Sequence, residues 1–322
     1  MRNNSAIANN SVISFENMHT PLVSVIIPNY CHEAFLKQRI ESVLQQTYRH
    51  FEIILLDDCS TDGSATILKQ YQTHPLVTQV VINTTNSGSP FLQWQLGFSL
   101  AKGDLIWIAE SDDIAQPTFL ECLVNAMNKS NAIVAFSNSQ WIDEYGHSIK
   151  RRTTKTWSRD FTMNGIDFVK KYLLGYNYIC NASAVLFKRT ALTAVTNDYT
   201  QYKASGDRLF WIQICLQGKV CYVAEKLNFF RQHTHKVSGH AAETGVNMVE
   251  DFSIYQKIKT LVPFNFWEQS LICGYHYHSI HYCQQFVGNG KQFALSAWEQ
   301  TRFFNMFSYI TYLFFRAIEI VR

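Results

Sequence analysis

The feature that most constrains this chain is the alternation of short apolar runs with helix-period segments across residues 23–113. Residues 23–27 read Val-Ser-Val-Ile-Ile and stop at Pro28, which predicts a buried strand. Residues 33–47 follow with Phe35, Leu36, Ile40, Val43 and Leu44 at helical spacing. A second apolar run, 51–56, stops at Asp57-Asp58, and the turn chemistry of 60–64 leads into a helix reaching about Tyr71. Residues 76–83 read as a third strand, 91–101 as a helix, and 104–109 as a fourth strand stopping at Glu110-Ser111-Asp112-Asp113. Strand and helix alternating at this spacing predict βαβ units and a mostly parallel sheet flanked by helices. In such sheets ligands sit outside the carboxyl ends of the strands, where two acidic pairs fall.

The rest of the chain is less regular. Residues 133–137, 184–187, 220–223 and 227–231 read as strands, 207–216 as a helix, and the chain beyond about 247 as helical and aromatic. At 322 residues the length allows about two domains or one large α/β domain with additions, enough for a core without staples. The formal charge of +3 gives no field of the kind nucleic acid needs, so no nucleic-acid partner is expected. Eight cysteines are scattered with no CxxC pair, which argues against a zinc site or a disulfide framework and suits a reducing cytoplasm. Residues 1–20 are polar, lack an apolar stretch and read as a flexible N-terminal segment rather than a signal peptide.

The acidic positions carry the chemistry. A carboxylate at Asp57-Asp58 can accept from a nucleobase N–H or a ribose hydroxyl, or simply form the turn. At Asp112-Asp113 the two carboxylates cannot point the same way, so one can ligate a divalent cation while the other holds a sugar hydroxyl; capping of the helix near Pro117 is the plain alternative. Asp207, at a helix start, is a helix cap or a general base. The turn Pro28-Asn29-Tyr30-Cys31 lacks G-x-G-x-x-G, and no G-x-x-x-x-G-K-[ST] occurs. Nicotinamide-type Rossmann domains and P-loop NTPases are thereby disfavoured, and a bound diphosphate would need a metal and cationic side chains.

Six stretches in order resemble family 2 glycosyltransferases of the GT-A fold: PLVSVIIPNYCHEAF (21–35), FEIILLDDCSTDGS (51–64), NSGS (86–89), GDLIWIAESDD (103–113), SGDRLFWIQICLQGK (205–219) and VAEKLNFFRQH (223–233). The resemblance implies a GT-A domain over 21–245, with a nucleotide-binding half (21–115) and an acceptor half (116–245). A helical, aromatic-rich extension would occupy 246–322. It implies inverting transfer from a nucleotide-diphosphate sugar, in the first instance a UDP-sugar, to a glycan or polyprenyl-linked acceptor, as in surface polysaccharide (O-antigen or capsule) synthesis. By that resemblance Pro28 and Tyr30 line the nucleoside pocket and Glu33 belongs to the same donor-binding set. Asp58 would hold the base, Asp112 the ribose or donor sugar, and Asp113 the Mn²⁺ or Mg²⁺ bridging the diphosphate. Asp207 fills the position of the base, and Arg231 and His233 match a basic pair near the diphosphate or acceptor. Three positions depart from the pattern. Cys31 stands for the usual Asn, Gly206 for the usual Glu, leaving Asp207 as the sole acid there, and the loop after Ser89 reads PFLQWQLGF.

Two other readings compete. A sugar nucleotidyltransferase would want a Gly-rich basic loop after the first strand, which 28–33 does not supply. A non-catalytic nucleotide-sugar-binding or scaffold protein would explain Gly206 but not the retained acids. Residues 264–322 hold 16 of the 46 aromatic side chains, about one position in four against about one in nine before them. Within them, 303–321 reads as a helix with polar positions Asn305, Ser308, Tyr312, Arg316 and Glu319. It would pack on the protein's own core or a second subunit as a homodimer. Alternatively, with Arg302, Arg316 and Arg322 flanking it, 292–322 would lie on a membrane surface, peripheral to the inner face of the plasma membrane. His276, His278, His281 and Cys283 fit no zinc spacing and read as packing or acceptor contacts.

Overall fold

The computed structural model describes residues 20–150, 156–179, 181–233, 237–282, 286–299 and 306–321. The expectations for residues 1–19, Arg302, Arg322 and Cys283 lie outside these. The first half is β1 (Val23–Asn29), α1 (Glu33–Leu44), β2 (Phe51–Asp57), α2 (Ser64–Gln70), β3 (Val77–Ile82), α3 (Pro90–Leu100) and β4 (Leu105–Ile108). β3, β2, β1 and β4 lie side by side and all run parallel. The chain reverses its direction of travel across the sheet between β1 and β4, the switch point at which such sheets open a crevice. β1, β2 and β4 are buried along their whole length, which is why apolar residues dominate them; the polar interruptions Ser24 and Glu52 bond each other at 2.7 Å.

The second half extends the sheet with β5 (Ile114–Ala115), α4 (Phe119–Ser130), β6 (Val134–Ile142), β7 (Phe161–Asn164), α5 (Gly165–Phe168), β8 (Val185–Lys188), α6 (Gly206–Cys215) and β9 (Lys219–Arg231). β8 runs antiparallel between β4 and β6, and β9 runs parallel to β6. β9 therefore points the same way as β1 and β4, and its carboxyl end reaches the edge where β4 ends. The runs 220–223 and 227–231 belong to this one strand, which keeps pairing with β6 through a register shift at residues 137–139.

Two apolar layers cover the sheet. Val23, Val25 and Ile27 face α1 and α4 through Leu36, Ile40, Phe119 and Leu123. Ile26, Ile54 and Ile106 face the other way, against Trp94, Phe210 and Trp211 of α3 and α6. This alternation is the period-2 signature of strands buried on both faces. The second layer also takes in α8 (Val246–Leu261), α9 (Phe266–Tyr282) and α10 (Gly290–Glu299), which follow α7 (Val237–Thr244), through Phe252, Tyr255, Ile272, Ala294 and Trp298. Within 292–299 of the expected membrane segment, Ala294 and Trp298 are buried against α8 and α9, while Phe293 is half exposed.

α11 (Met306–Val321) lies along α9 with Tyr309 and Tyr312 against Tyr275, Tyr277 and His278, and Thr311 buried. Its other side leaves Phe307, Ile310, Leu313 and Phe314 exposed beside Phe266 and Trp267. No helix among the described residues is long and apolar enough to cross a membrane. His276 is buried and bonds the Leu174 carbonyl at 3.1 Å, a packing role.

Candidate active site

The loops after β1 and β2 are stitched together before any ligand is considered. Asn29 Nδ2 donates to Asp57 Oδ1 (2.8 Å), and Ser60 donates to the same carboxylate through Oγ (2.7 Å) and its backbone N–H (2.9 Å). Cys31 and Cys59 both sit in the left-handed region, at φ 53° and 61°. That conformation favours Asn or Gly, which accounts physically for the Asn usual at position 31. Pro28 is buried inside β1, opposite Leu56, while Tyr30 at the strand end is half exposed. Glu33 is exposed and accepts from the Gly63 N–H (2.8 Å), while its own N–H donates to Asp62 (2.9 Å). It clamps one loop to the other.

Asp58 is buried, and its carboxylate organises the loop between β3 and α3. Oδ1 accepts from Asn83 Nδ2 (2.8 Å), Gln93 Nε2 (2.7 Å) and the Ser87 N–H (2.9 Å); Oδ2 accepts from Ser87 Oγ (2.7 Å). One residue on from Gln93, Trp94 Nε1 donates to Glu110 Oε1 at 2.9 Å. The Gln-Trp pair of α3 thus serves both acidic turns, one residue each.

At the end of β4 the two aspartates diverge. Asp113 is 1 % exposed; Oδ1 accepts the Arg231 N–H (2.9 Å) and Oδ2 accepts Asn181 Nδ2 (2.8 Å). Asp112 turns toward His233, whose Nε2 lies 3.1 Å from Oδ2. His32, held by Ser111 Oγ at 2.8 Å, joins them, so that one ligand atom from each of His32, Asp112 and His233 lies within 4.8 Å of the others. One carboxylate and two imidazoles suit a divalent cation of intermediate softness, and their rings are held by Phe35. The motif alone implied Asp113 as the ligand and Asp112 as the sugar contact; the burial of Asp113 between a backbone N–H and Asn181 leaves Asp112 at the cluster.

Arg231 does not face the crevice. Its guanidinium is buried on Phe35 (4.8 Å) and donates to the Asp112, Asp143 and Glu144 carbonyls and to Gln38 Oε1. These bonds make it a brace holding β9, the turn after β6 and the Asp112 backbone. Glu110 is pushed up to about 8, first by burial and then by Asp112, and Trp94 and Arg39 oppose the shift.

Asp207 opens α6. Gly206 before it leaves no room for a side chain: a Cβ there would lie 2.3 Å from the Tyr199 carbonyl oxygen and 2.5 Å from Phe91 Cε2. Phe91 packs on Trp94 (5.2 Å), so the start of α6 is tied to the residue that holds Glu110. Asp207 accepts the Arg208 N–H at 2.7 Å and is pushed up to about 6, chiefly by burial, with Asp251 adding and Arg208 opposing. Asp207 is therefore not the sole acid there: Asp251 of α8 lies close and pairs with Arg208 at 3.0 Å.

Several of these residues carried no clear signal in the chain. His32 stands inside the first motif, between Tyr30 and Glu33, at a position to which the resemblance assigns no role. Asn181, Glu250 and Asp251 have no motif at all, and Glu110 reads as strand punctuation.

A family model described as Glycosyl transferase family 2 matches residues 24–192, just over half of the chain. An uncharacterized glycosyltransferase of Haemophilus influenzae is 35 % identical over 137 residues, 42 % of this chain and 54 % of that protein. The putative teichuronic acid biosynthesis glycosyltransferase TuaG of Bacillus subtilis is 34 % identical over 117 residues, 36 % of this chain and 46 % of its own length. The chain spans about half the length of these curated relatives. Among solved structures, S. aureus TarS 1–349 in complex with UDP-GlcNAc superposes with a TM-score of 0.60 at 16 % identity, covering 80 % of this chain and 72 % of that one. The mannosyltransferase PcManGT from Pyrobaculum calidifontis, in complex with GDP-Man and Mn²⁺, superposes at 0.52 and 15 % identity, covering 93 % and 86 %. These likenesses give the fold, the expected GT-A arrangement, and the family model gives the lineage: this chain belongs to glycosyl transferase family 2.

Proposed function

We propose that the chain transfers a sugar, with inversion, from a nucleoside-diphosphate sugar to a hydroxyl of a glycan or lipid-linked acceptor during synthesis of a bacterial surface polymer. The observation that carries this is the His32–Asp112–His233 cluster at the carboxyl ends of β1, β4 and β9, with the start of α6 that bears Asp207 tied to the same acidic turn through Phe91, Trp94 and Glu110. TarS and PcManGT bind UDP-GlcNAc and GDP-Man in the same fold, which supports a nucleotide-sugar donor. TuaG and a poly(ribitol-phosphate) beta-glucosyltransferase among the relatives support a wall- or surface-polymer acceptor.

In this reading residues 21–115 hold the donor and 116–245 the acceptor. Asp112, His32 and His233 would hold a divalent cation, for which Mn²⁺ fits two imidazoles and a carboxylate better than Mg²⁺, and the cation would supply positive charge against the departing diphosphate. Asp113 and Arg231 keep that turn rigid. Asp207 takes the proton of the acceptor hydroxyl as its oxygen attacks the anomeric carbon opposite the diphosphate. The bond from sugar to phosphate breaks, and a single base with no protein nucleophile gives inversion. A base must be ionised, so the rate falls about tenfold per pH unit below the Asp207 midpoint of about 6.

The test is release of nucleoside diphosphate from a panel of donors, UDP-sugars first, by wild type, Asp207→Asn and Asp112→Asn. Turnover lost in Asp207→Asn with nucleotide affinity kept, and Mn²⁺-dependent nucleotide affinity lost in Asp112→Asn, is the expected pattern. Near-normal transfer by Asp207→Asn refutes the base assignment; nucleotide binding indifferent to both Mn²⁺ and Asp112, with no turnover of any donor, refutes the enzyme reading and favours a scaffold role.

The exposed face of α11 supports a peripheral location in this reading. Phe266, Trp267, Phe307, Ile310, Leu313 and Phe314 form one apolar surface with aromatic rings at its rim, the composition of an interfacial belt. Its occupant in this proposal is the lipid surface carrying the acceptor, with the chain peripheral to the cytoplasmic face.

A further inference from the structure

We infer that Glu250 and Asp251, consecutive residues of α8, are positioning residues for Asp207, so that the C-terminal helices form part of the catalytic apparatus. This rests on the reading of Asp207 as the base. Glu250 accepts three successive backbone N–H groups of the segment leading into α6: Lys203 (2.7 Å), Ala204 (2.9 Å) and Ser205 (2.8 Å). A carboxylate taking three amides fixes the segment to α8; Ser205 makes no side-chain capping bond to α6, and its Oγ donates instead to the Asn247 carbonyl of α8 (3.4 Å). Asp251 fixes the next turn. Its Oδ2 pairs with Arg208 Nη1 at 3.0 Å, and Arg208 donates its backbone N–H to the Asp207 carboxylate at 2.7 Å.

The same pair balances the charge beside the base. The groups facing Asp207 and Arg208 are Asp251 and Glu250 from α8, Tyr275 and His276 from α9, and Tyr176 from the segment before β8. Burial pushes His276 down to about 3 and Tyr275 up to about 12, so both are neutral at working pH. What remains is one guanidinium against the α8 carboxylates. Asp251 keeps Arg208 from drawing the full negative charge of Asp207 to itself, and so keeps Asp207 a usable base. Gly206 has no space for an acidic side chain, and the carboxylates arrive from a helix 43–45 residues further on.

The experiment is the pH profile of kcat with saturating donor for full-length Asp251→Asn, Arg208→Gln and Glu250→Gln, beside Asp207→Asn. Asp251→Asn leaves Arg208 uncompensated, and the acid limb moves to lower pH by roughly 0.5–1 unit. Arg208→Gln moves it the opposite way, and the double variant returns it toward wild type. Glu250→Gln lowers kcat roughly ten- to hundredfold with the donor KM unchanged, because the base segment loosens while the donor site does not. An acid limb that stays in place in both charge variants overturns the proposal, as does a loss of kcat matched by a loss of donor affinity in Glu250→Gln. Should Asp251→Asn fail to fold, Arg208→Gln carries the same test with the opposite sign. Near-normal turnover by Asp207→Asn strikes instead at the base assignment itself.

Discussion

Gly206→Ala is the smallest perturbation that tests how Asp207 is seated. Replacing glycine by alanine at a helical position ordinarily stabilises by up to about 1 kcal/mol, because the unfolded chain has less freedom to lose. Here the added methyl would sit 2.3 Å from the Tyr199 carbonyl oxygen and 2.5 and 2.8 Å from the Phe91 ring. Two of those atoms belong to a buried aromatic and the third is backbone, so none is the loose end of a flexible chain. Overpacking of this kind costs about 1–3 kcal/mol, and a backbone oxygen at that distance pushes toward the upper end. The clash wins, leaving a net loss of roughly 1–2 kcal/mol, or about 2–5 °C in Tm for a chain of this size. The strain also has a direction. Phe91 packs on Trp94, and Trp94 holds Glu110, so kcat falls by more than the stability loss alone would give. Scanning calorimetry and donor turnover on the same preparation measure both. A Tm equal to or above wild type with undiminished kcat would refute the packing argument.

Three further outcomes follow from the same contacts. Asp58→Asn turns one carboxylate oxygen into a donor facing Asn83, Ser87 and Gln93; leaving such donors unsatisfied costs about 1–3 kcal/mol each, so Tm and nucleotide affinity fall together, whereas a carboxylate serving only the base would leave Tm unchanged. Arg231→Lys loses the planar fork that reaches three carbonyls and Gln38 over Phe35, so calorimetry shows a large drop in Tm; an unchanged Tm with weakened nucleotide binding would restore the diphosphate contact. Ile310→Asp with Phe314→Asp abolishes co-sedimentation with anionic liposomes at unchanged Tm; binding that persists, absence of binding by wild type, or loss of a dimer instead, each counts against a lipid surface.

The parallel half of the sheet was legible because strands buried on both faces leave a continuous aliphatic record, and because each ends in residues that cannot continue it. Val23, Ile26 and Ile54 needed no knowledge of the rest of the molecule. The antiparallel additions left no such record. β5 is two residues long and exists only because Ile114 and Ala115 meet Phe229 and Asn228 of a strand more than a hundred residues away. β9 reads as two strands because Glu225 and Lys226 are exposed at the bulge, yet pairing with β6 carries it through.

The acids divide in the same way. That Asp112 and Asp113 point apart follows from the backbone, but which of them meets the crevice depends on Arg231 and Asn181, and no local pattern encodes either contact. Position 206 is the sharper case. Read along the chain, a glycine where an acid is usual looks like a weakened site. Read in space, Phe91 and the Tyr199 carbonyl occupy the volume such a side chain would need, while Glu250 and Asp251 approach the base from α8. Charges are scarce in this chain, at 16 % of residues, and a buried acid is costly to keep without partners. Two consecutive acids holding three amides and a guanidinium therefore mark a working junction. The aromatic helices that follow α8 pack it against the catalytic layer, so their first duty is to hold that junction still.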